Sequence, residues 1–184
     1  IFFDGASTLI TEEFLPIIKT TPITMFGVIK ANRDSVRQDG GDARWLINVT
    51  DNGDYIFGFN FGPYGENPIT ASLMAGNSND YEDIIQDSQQ FGEPEVALCC
   101  GTNDGTTITF YKNGSSKGTL ATSPYSSSSN YGSFGIGAQI NPNEGNPVIQ
   151  AVCYVAEVII YNRSITTSER QQVESYLNTK YAIY

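Results

Sequence analysis

The feature that most constrains this chain is the rhythm of its first 160 residues: short β-type runs, each stopped by a turn signal. Residues 23–30 (ITMFGVIK) are β-rich and apolar on both faces, as a central buried strand must be. Residues 45–49 (WLINV) and 55–61 (YIFGFNF) flank Asp51-Asn52-Gly53-Asp54, which predicts a hairpin. Residues 96–100 lead through Asn103-Asp104-Gly105 into residues 106–112, where Ile108 and Phe110 alternate with Thr107, Thr109 and Tyr111. Asn113-Gly114 follows, a hairpin signal because both residues tolerate positive φ. Residues 132–140 and 152–161 supply two more strands. In the last, Ala156, Val158 and Ile160 are expected on one face and Glu157, Ile159 and Tyr161 on the other. Residues 62–90 and 123–130 read as irregular.

One helix is predicted, at about residues 167–180. Thr166-Thr167-Ser168-Glu169 reads as a capping box, with Thr166 as N-cap and Glu169 reaching back from the third helical position. Val173, Leu177 and Tyr181 then recur four residues apart, a stripe that docks the helix onto a sheet. Many short strands and one terminal helix, without internal repeats, spell an all-β fold: an antiparallel two-sheet sandwich carrying one C-terminal α-helix. At 184 residues the chain suits a single domain spanning 1–184. A domain of that size buries roughly 70% of its unfolded surface and needs no staples.

Composition narrows the chemistry. The chain has no histidine, so no Ser-His-Asp or Cys-His pair can form and the commonest transition-metal ligand is absent. A net charge of −10, with only ten Lys and Arg, argues against nucleic acid and anionic membranes as partners. With 16% charged residues, the polar positions fall to Ser, Thr, Asn and Gly, a composition suited to an extracellular or virion-surface β domain. Cys99, Cys100 and Cys153 are an odd set. The first two are adjacent on a strand and must face opposite ways, so buried free thiols are expected over a single disulfide to Cys153. No apolar run reaches 18 residues, and no signal peptide is evident. The chain opens without Met inside a β-type run, and is read as a piece of a longer polypeptide.

Phe3-Asp4-Gly5, then TTITFYKNG (106–114), FGIGAQ (134–139) and AEVIIYNRSITTSERQQVESYLNTKY (156–181), taken in order, resemble the strands and capped last helix of concanavalin A-like, laminin-G-like jelly rolls of bacterial and phage type. The resemblance implies two curved antiparallel sheets packed face to face. It leaves function open among lectins, glycanases, adhesion modules and virion proteins.

Retaining glycanases of this fold need carboxylates at strand spacing, with two carboxyl groups about 5–5.5 Å apart. Glu93 and Glu95 flank Pro94, Asp80 and Glu82 lie in the irregular segment, and Glu157 stands alone, so no catalytic residues are assigned. A sugar site stacks a pyranose on an aromatic ring and fixes its hydroxyls with amides. Candidates are Trp45, Tyr64, Tyr81, Tyr125 and Tyr131, with Asn77, Asn79 and Asn130 as polar neighbours. Asp80, Glu82, Asp83 and Asp87 form the densest acidic cluster and are the candidate Ca²⁺ ligands, ahead of Asp39 and Asp42. Asn48, Asn113 and Asn162 head N-x-Ser/Thr sequons; Asn113 is better explained by its turn and Asn162 by a strand end. The expected function is a non-catalytic structural or binding module on a larger surface assembly, a virion decoration, tail or adhesion component. Its partners are neighbouring protein subunits or surface glycans. A secreted bacterial lectin-like domain is the alternative, and a glycoside hydrolase a distant third.

Overall fold

In chain order the elements are β1 (Phe2–Asp4), β2 (Leu9–Thr11), β3 (Ile23–Ala31), β4 (Arg44–Asp51), β5 (Asp54–Phe61), β6 (Ala71–Gly76), β7 (Glu82–Gln86), β8 (Val96–Asn103), β9 (Thr107–Lys112), β10 (Ser115–Ala121), β11 (Gly132–Ile136), β12 (Gln139–Ile140), β13 (Pro147–Val148), β14 (Val152–Tyr161) and α1 (Thr167–Tyr181). The structure, a computed structural model, describes residues 1–4, 9–11, 22–31, 44–51, 54–61, 71–76, 82–87, 95–122, 132–140, 147–148 and 152–184. Six strands form a first antiparallel sheet in the order β1-β14-β3-β8-β9-β10, and six form a second in the order β2-β11-β4-β5-β6-β7. The small β12-β13 pair stands apart. This is the expected two-sheet sandwich with its terminal helix.

Between the sheets lies the main core. Met25, Ile29, Cys99, Ile108 and Phe110 of the first sheet meet Ile47, Val49, Phe57, Phe59 and Leu73 of the second. Two glycines set how closely the sheets approach: a Cβ at Gly27 would sit 2.6 Å from Ile47 Cδ1, and one at Gly101 2.5 Å from Leu73 Cδ1. β3 is central and buried on both faces, because its other side, Phe26 and Val28, is covered in turn by α1. The Asn113-Gly114 turn has φ of 51° and 74°, as a two-residue type I′ hairpin requires, and joins β9 to β10. The Asn113 carboxamide does a further job, accepting the Leu98 N–H at 2.9 Å.

The helix begins as its sequence predicts. Thr166 Oγ1 accepts the Glu169 N–H at 3.2 Å, and the Thr166 N–H donates back to Glu169 Oε2 at 2.8 Å. Leu177 is buried, with Val173 and Tyr181 packed beside it on Phe26, Val28, Leu98 and Cys100. Thr24 ties the approach to the helix onto β3, accepting the Ile165 N–H and donating to the Arg163 carbonyl. The apolar stripe did not announce the buried Arg170–Glu174 ion pair, four residues apart on the docking side, whose guanidinium stacks 3.9 Å over the Tyr111 ring.

Two expectations are corrected. Residues 62–90 are not irregular throughout: they contain β6 and β7. β6, ASLMAG, has no β-branched residue, yet it is buried on both faces, and its small residues fit beside Phe57 and Phe59 of β5. Pairing between two neighbours, rather than propensity, makes it a strand. In β14 the register slips between Val155 and Glu157. That bulge puts Val155 into the core with Val158 and Ile160 and turns Ala156 out to solvent, so simple alternation fails there.

All three cysteines are free and buried. Cys99 faces the inter-sheet core and Cys100 the helix, opposite sides as adjacent strand residues must be. Burial pushes the Cys99 and Cys153 thiols up to about 12 and Cys100 well above its ordinary value, so they stay protonated and inert.

Candidate ligand-binding face

With Ile47, Val49, Phe57, Phe59, Leu73, Phe134 and Ile136 pointing into the core, the pleat sends the intervening residues to the outer face of the second sheet. Register then lines up Gly135, Asn48, Gly58 and Met74 as one row across four strands, with Asn60 and Ser72 as a second row beside it. Each of these residues is buried. The face is a floor of small residues interrupted by two carboxamides.

Asn48 is held by a turn. Gly137, at φ 82°, brings the chain back so that its N–H donates to the Leu46 carbonyl at 2.9 Å and the Ala138 carbonyl accepts Asn48 Nδ2 at 2.6 Å. Gly135 makes room for this: a Cβ there would lie 2.8 Å from Ala138 O and 3.2 Å from Asn48 Nδ2. The FGIGAQ segment therefore serves to fix one carboxamide. Its oxygen, Asn48 Oδ1, is buried without a hydrogen-bond partner. Asn60 repeats the pattern on β5. Its Nδ2 rests against Met74 Sδ, a weak acceptor, and its Oδ1 is likewise buried and unpartnered. A buried acceptor left unmade costs about 1–3 kcal/mol, so two on one face call for an explanation.

Of the sequence-predicted residues, Trp45 lies on β4, paired with Asn60 beside a register shift. Tyr64, Tyr81, Tyr125, Tyr131, Asn77, Asn79, Asn130 and Asp80, together with Asp39 and Asp42, lie outside the described residues. Glu82 and Asp83 are the first residues of β7, opposite Gly76 and Ala75. Asp87 follows that strand, and its carboxylate, 1% exposed, faces Lys112 Nζ at 3.5 Å and Lys117 Nζ at 3.4 Å. Glu95 joins the group, 2.9 Å from Lys112 Nζ. This ion cluster bridges the two sheets at the edge where β7 meets β10. Among the described residues no three His, Cys, Asp or Glu side chains converge as a metal cluster.

Asn48 and Asn60 were passed over because Asn48 reads as a sequon and Asn60 as strand filler. The signal was present: each is a lone amide in an otherwise apolar β run, WLINV and YIFGFNF, where Asn is normally depleted. Asn48 is fully buried, whereas Asn162 is exposed just beyond β14.

The other carboxylates whose side chains are described are each bound. Glu157 takes Lys180 Nζ and the Tyr181 hydroxyl, both at 2.9 Å, Glu169 takes Arg163, and Glu174 takes Arg170. Asp104 accepts the Thr106 and Thr107 N–H groups, which hold its carboxyl below the usual range. Asp87 and Glu95 share the Lys112 ammonium, at 3.5 and 2.9 Å.

The sequence profile of the concanavalin A-like lectin/glucanases superfamily matches residues 33–169. No curated protein matches the sequence. Among solved structures, the binding domain of Paraclostridial mosquitocidal protein 1 is similar at a TM-score of 0.66 and 16% identity, over 97% of this chain and 46% of that one. The binding domain of botulinum neurotoxin DC, in complex with SialylT, gives 0.61 and 12%, over 92% and 39%. Domain 4 of an extracellular arabinanase from Geobacillus stearothermophilus, in complex with arabinotriose, gives 0.62 and 12%, over 94% and 75%. The chain thus spans less than half of each toxin chain it resembles.

Proposed function

The chain belongs to the concanavalin A-like lectin/glucanase superfamily, and from that premise we propose that it is a non-catalytic, lectin-like module that binds glycan. The observation that carries this reading is the two-sheet sandwich itself, which the superfamily profile matches over residues 33–169. Likeness to toxin binding domains and to domain 4 of an arabinanase, solved in complexes with SialylT and arabinotriose among them, supports the reading at the level of fold. Trp45, on β4, is the stacking candidate.

The reading takes support from the carboxylates whose side chains are described, which are committed to cations or backbone N–H groups. It places the whole of residues 1–184 in one domain with an extracellular or surface setting, as an adhesion module in preference to a virion decoration. No described helix is long and apolar enough to cross a membrane. Calcium at Asp80, Glu82 and Asp83 remains part of the proposal only as an accessory to the loop side of β7. The test is titration of the purified chain across a broad glycan array, with reducing-end release assayed in parallel. Saturable binding without release is expected; silence across the array would falsify the assignment.

A further inference from the structure

We infer that Lys112 and Asp87 are the two halves of a self-forming cross-link: their side chains condense into an amide that ties the two sheets together covalently. The starting point is a pair of charged residues at positions where the strand pattern calls for apolar ones. Along β9, Ile108, Phe110 and Lys112 are the buried residues and their neighbours are partly exposed, so Lys112 is directed inward as the other two are. Its partner across the strand pair is Cys99, a residue of the inter-sheet core. Asp87 stands two residues beyond the core residue Ile85, and its N–H donates to the Ala71 carbonyl, which carries the β6–β7 pairing one step further. The two side chains are 5% and 1% exposed, and Lys112 Nζ lies 3.5 Å from Asp87 Oδ2. One belongs to the first sheet and the other follows the edge strand of the second.

An ordinary ion pair has two members; this one has four, and the further two stand where amide formation needs them. Glu95 Oε1 lies 2.9 Å from Lys112 Nζ, in place to take a proton from that nitrogen. Lys117 Nζ lies 3.4 Å from Asp87 Oδ1, in place to stabilise negative charge on that oxygen. The step balances within the cluster. One proton crosses the ion pair from Nζ to Oδ2, leaving an amine beside a carboxylic acid. The amine forms the Nζ–Cγ bond, and the negative charge gathers on Oδ1 beside Lys117. Glu95 takes a second proton from Nζ and delivers it to Oδ2; the Cγ–Oδ2 bond then breaks and water leaves. The products are an amide and one water, Glu95 and Lys117 end as they began, and nothing is oxidised or reduced. Folding itself supplies the approach of amine to carboxyl, and burial keeps the bulk water that would reverse the reaction away from the new bond. Lys112 is the nucleophile rather than Lys117 because Glu95 sits on its nitrogen, and because Lys117 lies at the register shift of β10.

The experiment is the intact mass of the purified whole chain, measured in denaturant, followed by tryptic mapping. The mass is expected to fall one water short of the sequence, with the segment carrying Asp87 joined to that carrying Lys112 and no cleavage after Lys112. Lys112→Arg and Asp87→Ala should each restore the full mass. Glu95→Gln should stay at full mass when freshly made, a loss of rate of roughly a hundredfold. The full sequence mass in the folded, aged parent chain overturns the inference and leaves the cluster as an ionic clasp; this outcome needs no variant to fold. A lost water that maps to an aspartate closed on its own backbone, or to a bond through Lys117, overturns it equally. A Glu95→Gln chain that emerges already cross-linked overturns the proton route written here.

Discussion

The centre of each sheet's outer face is buried, but the two are closed with different chemistry. Over the first sheet, Phe26, Val28, Leu98 and Cys100 are covered by Ile165 and Leu177 of the helical segment, with the buried Arg170–Glu174 ion pair stacked on Tyr111 beside them. Over the second, the corresponding positions are Asn48, Asn60, Ser72 and Met74, with glycines between them and two acceptors unmatched. The first is dominated by apolar contact. The second leaves two buried acceptors without donors, at a cost to stability. Substitutions on the two faces should therefore differ in sign as well as in size.

The largest effect belongs to the sealed face. Phe26→Ala empties a fully buried position between β3 and the helix and is expected to cost about 3–5 kcal/mol in denaturant unfolding, with glycan affinity of the folded fraction unchanged. A cost below about 1 kcal/mol would mean that the helix is loosely held and the faces are less different than they look. On the other face, Asn60→Leu removes an unmatched acceptor and an amide with only a thioether for company. Stability is expected to hold or rise by about 1 kcal/mol. A loss of several kcal/mol would erase the contrast, because Asn60 would then be structural.

The sealed half was the half legible in the sequence. A capping box, a four-residue apolar stripe and an apolar β3 are local patterns, and each marks one element without reference to any other. The β9–β10 hairpin was legible for the same reason, being fixed by Asn113-Gly114 itself. The second sheet was harder because its making is non-local. β6 has the composition of a loop and becomes a strand only between β5 and β7. Asn48 matters because a turn at Gly137 some ninety residues later folds back on it, and no spacing within WLINV encodes that. The bulge at Val155 is similar: it is set by pairing with β3, and it defeats the period-2 rule that served elsewhere.

A smaller test asks how much of the seal depends on the helix starting where it does. Thr166→Ala deletes the acceptor for the Glu169 N–H and is expected to cost about 1 kcal/mol, near 2–4 °C in melting temperature for a chain of this size. Unfolding after Asn60→Leu should shift by the same amount in this background as in the parent. A coupling beyond about 0.5 kcal/mol would show that the two outer faces communicate through the core, and the comparison would need redrawing as a coupled pair.

The smallest effect is electrostatic and has a defined direction. The Arg163 guanidinium, with the Thr166 N–H and hydroxyl, holds the Glu169 carboxyl at about 2, below its ordinary value of 4.5. A carboxyl depressed in the folded state stabilises above its unfolded value and loses that contribution as pH falls through the folded one. Glu157, held down by Lys180 and Tyr181, acts in the same sense, whereas Glu174, pushed up by burial, acts in the opposite one. A melting profile of the unmodified chain therefore mixes signs. Glu169→Gln separates them, since Gln can still close the capping box but carries no charge. The variant should melt below the parent above about pH 5, and the two curves should converge as pH approaches about 2, where Glu169 itself becomes neutral. Curves that run parallel through that window would show that the exposed Arg163–Glu169 pair contributes nothing to the seal. The helix would then be held by its cap hydroxyl, its buried stripe and the Arg170–Glu174 and Lys180–Glu157 pairs.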